Sequence, residues 1–348
     1  MKHSIRTRTY PIKLSGLNSL RTFTLLTALS SICAVATLSA LAFYSASAHA
    51  QNYPTRTVKM IVPLTPGSGA DIAGRLVAKT LTENWKQPVI IENRPGAGGL
   101  IGTGVVVNAE PDGYTLLVQS ASYAANPAIY KKLPYDLNSL TDVNILGSSP
   151  YALVVSAESP YKTIKDLVNA AKAQPGILPF ASAGIGSSTH LAAEYFNQTM
   201  GIKMLHVPYK GSPEAIQETI SGRTAYYMAP LQTAIAQIQG GKARALGVTS
   251  ATRAEAAPEI PTIAEQGFPN FEIGLWVGVW APAATPKAVL QKINTDINRA
   301  LQDPELKASY AKAGITIKLM NLAETDKFVN SEIAKYQKIA KDANIEPQ

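Results

Sequence analysis

One arrangement recurs along this chain and limits what it can become: a short β-branched run, a turn rich in glycine or proline, then apolar residues at helical spacing. Val58 to Val62 reads as a buried strand and Pro63 to Ala70 as the turn after it. Asp71 then caps a helix whose apolar positions are Ile72, Leu76, Val77, Leu81 and Trp85. Val89 to Ile91 is the next strand, Ile101 to Asn108 a short helix, and Tyr114 to Val118 a third strand. Three strands joined by helices in about sixty residues imply a parallel, doubly wound sheet, because parallel neighbours need a crossover and the helices supply it.

The same grammar continues. Ala152 to Val155 is a strand; Thr163 caps a helix, Asp166 completes a capping box and Pro175-Gly176 stops it. Phe180 to Ser182 is a strand whose glycine and serine turn leads into a helix around His190 to Gln198. Met204 to Val207 follows, then Ser212-Pro213 as an N-cap with proline at the first helical position, and Gly222 as the stop. Tyr226 to Met228 and Arg244 to Thr249 are further strands around a helix from Leu231 to Gln239. After Pro258, Pro261 and Pro269 come a strand within Phe271 to Val279 and helices opened by Thr285-Pro286 and Asp303-Pro304. A last strand, Ile315 to Leu319, precedes a C-terminal helix from Ala323 to Asp342. The pattern predicts an α/β protein of two lobes, each a mostly parallel sheet flanked by helices. Residues 51–153 and 271–348 form the first lobe, and residues 154–270 are inserted as the second.

The first fifty residues stand outside this grammar. Lys2, Arg6, Arg8, Lys13 and Arg21 make a basic segment, Leu25 to Phe43 is apolar or small, and Ala48-His49-Ala50 offers small residues at both cleavage-determining positions. That order predicts a signal peptide over residues 1–50, cut before Gln51, and export to the periplasm. Five bases and no acids leave with it, so the formal charge falls from +8 to +3. The basic balance therefore belongs to the targeting segment and points to no nucleic acid. The only cysteine, Cys33, lies there too, which excludes disulfides and thiol chemistry from the exported part.

Few residues advertise chemistry. Pro66-Gly-Ser-Gly-Ala-Asp71 sits at the carboxyl end of the first strand and the start of the first helix, where backbone N–H groups favour an anion. No Lys-Ser/Thr follows, so it is not a Walker loop. Ser182-Ala-Gly-Ile-Gly-Ser-Ser-Thr-His190 repeats the design in the second lobe. If the lobes face each other, both helix starts can grip one carboxylate, although Ser187 and Ser188 have the plainer role of N-caps open to them. Asn93 to Gly99 reads as a tight structural turn. His190 and His206 lack neighbouring carboxylates at metal spacing, so no metal or cofactor is expected. No G-x-S-x-G occurs, which speaks against a serine hydrolase.

Eight motifs then fall in register over nearly the whole exported part. They are Val62-Pro-Leu-Thr-Pro-Gly-Ser-Gly-Ala-Asp71, Glu92-Asn-Arg-Pro-Gly-Ala-Gly-Gly99, Pro111-Asp-Gly-Tyr-Thr-Leu-Leu117 and Asn126-Pro127. Leu133-Pro-Tyr-Asp136, Gly184-x-Gly-Ser-x-x-His-Leu191, Val207-Pro-Tyr-Lys-Gly211 and Pro261-Thr-Ile-Ala-Glu265 follow. Together they resemble the Bug family of extracytoplasmic receptors, the binding subunits of tripartite tricarboxylate transporters. The resemblance implies a two-lobed, type II periplasmic-binding-protein (Venus-flytrap) fold, no catalysis, and a large and a small membrane subunit as partners. It also implies that loops matching Thr65 to Asp71 and Gly184 to Ser188 hold a ligand carboxylate, and that Ser120 to Asn126 lines the far side. Where relatives commonly read Gly-x-Val-Asp-Leu-x-Phe-Asp, this chain reads Gly222-Arg-Thr-Ala-Tyr-Tyr-Met-Ala229, so both aspartates are alanine.

The expected ligand-binding residues are Leu64, Thr65, Gly67, Ser68, Gly69, Ala70 and Asp71 from the first turn, and Ser120 beyond it. Ala183, Gly186, Ser187 and Ser188 come from the second turn, and Tyr227 and Ala229 from one face of a strand. The expected ligand is a small mono- or dicarboxylate without an amino group, aromatic bodies included, bound by a monomer. A sensor presenting the same ligand to a signalling partner is the alternative.

Overall fold

The computed structural model describes residues 52–342 and Ile345; the expected signal peptide and its cleavage point lie outside the described residues. Nine strands form one sheet: β1 (Val58–Val62), β2 (Val89–Asn93), β3 (Thr115–Ser120), β4 (Leu140–Ser156), β5 (Pro179–Ser182), β6 (Leu205–Pro208), β7 (Tyr226–Pro230), β8 (Ala243–Val248) and β9 (Gly274–Pro282). Their order is β2-β1-β3-β9-β4-β7-β5-β6, with β8 also on β4. The outer groups β2-β1-β3 and β7-β5-β6 are parallel. Between them β4 and β9 run antiparallel to their neighbours.

Strand β4 joins the two halves. Leu140 to Pro150 pairs with β9, and Tyr151 onward with β7 and β8. Its first half escapes sequence reading because register shifts between Asp142 and Asn144 and between Ile145 and Gly147 break the period-two pattern. The expected strand at Ile315 to Leu319 is not formed. Only Thr316 pairs, bridging Ser148 beside the second bulge, and a bent strand cannot carry that ladder further.

Helices flank the sheet: α1 (Gly69–Trp85), α2 (Leu100–Val107), α3 (Ser122–Ile129), α4 (Ile164–Ala173), α5 (Ser188–Met200), α6 (Ser212–Ile220), α7 (Leu231–Gln239), α8 (Lys287–Ala300), α9 (Pro304–Lys312) and α10 (Leu322–Asp342). The capping box of Thr163 and Asp166 opens α4 as expected. Asp71 does not cap α1. Ser68 does, accepting from the Asp71 N–H, so the helix begins two residues before Asp71. Gly211 rather than Ser212 caps α6, with the proline in its first turn.

Alternation along β7 separates two cores. Tyr226 and Met228 join a cluster with Phe180, Phe196 and Trp280, whereas Tyr227 and Ala229 join Ala152, Val154 and Ile216. A third cluster packs α1 and α8 on the first half through Met60, Val77, Leu81 and Ile293. Each fully buried large side chain contributes roughly 1.5–3 kcal/mol, which makes the strand ends rigid mounts for the turns between them and the helices.

Candidate ligand-binding site

The carboxyl ends of β1 and β5 each run through a glycine turn into a helix, and the two helix starts meet. Positive φ at Gly67 (+80°) and Gly186 (+80°) lets both turns double back within a few residues. Leu64, Ser68, Gly69 and Ala70 from the first turn line an enclosed pocket. Ala183, Ser187, Ser188 and Thr189 from the second turn face them across it. Ser120, Ser122, Gly211, Ser212, Pro230 and Leu275 complete the lining. The pocket measures about 20 Å³, on the order of one water in size.

Its electrostatics favour an anion. The first N–H groups of α1, on Gly69 and Ala70, have no partner within their own helix, and the positive end of each helix dipole faces the pocket. The Ser188 N–H donates to Ser122 Oγ at 2.9 Å, and Ser120 Oγ donates to the same oxygen at 2.9 Å. No carboxylate lines the pocket. Asp71, the nearest acid, turns away: it accepts from the Gly67 N–H, Arg75 Nε and Asn93 Nδ2, each at 2.9 Å. Burial alone would raise its pKa, but the Arg75, Gly67 and Asn93 hydrogen bonds hold it below the ordinary carboxylate range.

Ser187 takes the plainer of its two roles. Its hydroxyl donates to the Gly184 carbonyl (2.6 Å) and accepts from the His190 N–H (3.2 Å), capping α5. Behind this turn His190 and His206 stack with centroids 4.0 Å apart, and His206 stacks in turn on Phe180. Burial pushes the His206 pKa down to about 4; burial and then His206 push His190 to about 3. His190 therefore stays neutral, and its 3.8 Å approach to Glu194 is not an ion pair. The Gly184 N–H donates to Ser182 Oγ (3.1 Å), and the same hydroxyl is hydrogen-bonded to His206 Nε2 at 2.6 Å. The histidines thus brace the turn from below. Among the described residues no cluster of three metal-ligating side chains occurs, and no helix is long and apolar enough to cross a membrane.

Not every expected residue reaches the pocket. Thr65 lines the neighbouring chamber instead, its buried hydroxyl pressed on Gly211, where an added Cβ would sit 1.9 Å away. Gly67 and Asp71 brace the first turn, and Gly186 backs onto Tyr130. Tyr227 and Ala229 are buried core; Tyr227 reaches the site only through its hydroxyl, which donates to Ser212 at 2.8 Å. Ser212 itself went unremarked as a site residue. Its signal was present, because a helix start after a strand end follows the same rule as the other two.

A larger chamber of about 490 Å³ adjoins the pocket and shares Leu64 and Ala183 with it. Its walls are the turn Pro95 to Gly99 on one side and Pro208 to Lys210 on the other. The two halves touch closely here. An added Cβ on Gly98 would lie 2.8 Å from the Ile185 carbonyl oxygen, and Tyr130 Oη donates to that same oxygen at 3.2 Å. Asn126, with its amide oriented to satisfy both atoms, donates to the Gly186 carbonyl at 3.0 Å.

Residues 73–345 match the family described as tripartite tricarboxylate transporter family receptor. The UPF0065 protein in the tcbD-tcbE intergenic region of Pseudomonas sp. (strain P51) is 37% identical over 281 residues, 79% of this chain and 84% of its own. Protein BugT of Bordetella pertussis is 34% identical over 306 residues, 87% of this chain and 94% of its own. Among solved structures, R. palustris Rpa4515 with adipate has a TM-score of 0.82 at 31% identity, over 85% of this chain and 100% of that one. MatC from Rhodopseudomonas palustris with bound malate has a TM-score of 0.79 at 28% identity, over 83% and 100%. A two-lobed receptor fold and a sequence match along most of the chain agree, and the chain belongs to the Bug-type receptors of the tripartite tricarboxylate transporter family, a family of solute-binding receptors and not of enzymes.

Proposed function

We propose that this protein captures a small carboxylate between its lobes in the periplasm and delivers it to the large and small membrane subunits of a tripartite transporter. The observation that carries the reading is the meeting of two helix starts, one from each half of the sheet, on one enclosed pocket free of acids. The adipate and malate of two similar structures support a carboxylate as the ligand. Amino-free acids are the better fit because of the pocket lining rather than position 229, which is core. That lining offers no carboxylate to pair with a buried ammonium group.

The change of partner along β4, between Pro150 and Tyr151, supports a first lobe boundary within a few residues of 153/154, and the expected second boundary at 270/271 makes the segment entering β9 the other crossover. Cleavage before Gln51 would release the receptor from its targeting segment. A thermal-shift panel of carboxylates tests the capture step. A ligand at one hundred times its Kd adds roughly 2.7 kcal/mol, a plain rise in melting temperature. No rise with any carboxylate would refute it. Delivery is tested by co-purifying the detergent-solubilised membrane subunits, which should follow this chain more strongly with ligand than without.

A further inference from the structure

The enclosed pocket has room for about one water, enough for a single carboxylate oxygen, so the rest of a ligand needs another space. The adjoining mouth chamber offers one. Its volume of about 490 Å³ falls in the usual range for small-molecule sites, roughly 300–1,000 Å³. Leu64 and Ala183 line both spaces, so the chamber abuts the pocket at those two residues. The chamber wall is backbone, proline, Ile185 and the rings of Tyr130 and Tyr209, and it contains no acid.

Lys210 is the one charged residue on that wall. Its backbone N–H donates to Glu214 at 3.0 Å, which fixes where the side chain begins. Among the described residues its ammonium forms no ion pair. A ligand in the chamber therefore meets apolar and aromatic walls and a single cationic residue.

We infer that the mouth chamber is a second subsite, which takes the apolar or aromatic body of the ligand and pairs Lys210 with a second anionic group at its far end. This rests on the receptor reading above and narrows its ligand to extended carboxylates, above all dicarboxylates with a chain or ring between their acid groups. Two tyrosines in the lining suit a planar body, because rings gain from offset and edge contacts as well as from burial.

Isothermal titration of wild type, Lys210→Met, Lys210→Gln and Tyr209→Ala with succinate, suberate, terephthalate and benzoate tests the subsite. Suberate and terephthalate should bind more tightly than succinate. Both Lys210 variants should weaken these two about two- to fivefold, as for an exposed ion pair, and leave benzoate nearly unchanged. Tyr209→Ala should weaken the ring ligands most. Two independent Lys210 variants, each checked by its melting curve, guard against a folding defect. If all variants bind all four acids like wild type, or lose all four equally, the subsite is wrong while the receptor reading stands. If no carboxylate binds wild type, the receptor reading fails and takes the subsite with it.

Discussion

Gly98→Ala should separate the stability of this protein from its ability to close. Gly98 holds φ of +60°, a region that costs an L-residue roughly 1–2 kcal/mol. That part of the penalty is independent of ligand and should appear as a lower melting temperature. The added methyl group also meets the Ile185 carbonyl oxygen at 2.8 Å and the Gly186 backbone at 3.1 Å, both on the opposite half of the sheet. Neither contact is the end of a flexible side chain, so the halves must move apart at this seam. The bonds at risk are those from Tyr130 to Ile185 and from Asn126 to Gly186. At about 0.5–1.5 kcal/mol each, their loss predicts affinity weaker by roughly five- to hundredfold for the tightest carboxylate found. Titration calorimetry and scattering read the two parts separately. The variant should bind more weakly and shrink less in radius of gyration on binding. Wild-type affinity and wild-type contraction, in a variant that carries the lower melting temperature, would refute the seam argument.

Other consequences follow from the same geometry. Gly186→Val combines φ of +80° with a Cβ only 2.6 Å from Tyr130, so calorimetry should show lost affinity; an unimpaired, folded variant would refute its placement. Ser187→Ala removes the cap of α5 and should cost about 1 kcal/mol in denaturant unfolding, with an unchanged midpoint as the contrary result. Asp71→Asn should destabilise by about 1.5–3 kcal/mol at pH 7. Because the folded pKa is depressed, that advantage of wild type is complete above the ordinary value of 3.8 and disappears as pH falls through the folded value, so the two melting temperatures should converge in acid. His206 and His190 stay neutral to about pH 4 and 3, whereas the unfolded chain protonates them near 6.5. Wild type should therefore lose stability relative to His206→Phe as pH falls from 6.5 to 4, and a constant difference would contradict it.

Local signals served well where one element decides its own conformation. The capping box at Thr163, the proline starts at Asp303-Pro304 and the helix Leu231 to Gln239 are written in adjacent residues, and the structure forms them there. Both glycine turns were legible for the same reason, since a strand end followed by a helix start is a local pattern. What failed to show was long-range. Period two along β7 correctly parts Tyr227 and Ala229 from Tyr226 and Met228, yet nothing in that alternation says that either face is core rather than pocket. The mouth chamber joins the 95–99 turn to residues 208–210, more than a hundred positions on, and no single segment carries that pairing. Bulges hid the first half of β4 because they erase the periodicity by which a strand is recognised.

The most direct test of the receptor account compares an acid with its own amide. Calorimetry should be run on the carboxylate that most raises the melting temperature and on the primary amide of the same body, which matches it in shape without the charge. Two helix starts and an acid-free lining predict binding of the acid, with the amide at least about tenfold weaker, because charge-assisted hydrogen bonds are roughly twice as strong as neutral ones. Equal binding of acid and amide, or binding of the amide alone, would contradict a carboxylate held between the helix starts at Ser68 and Ser187.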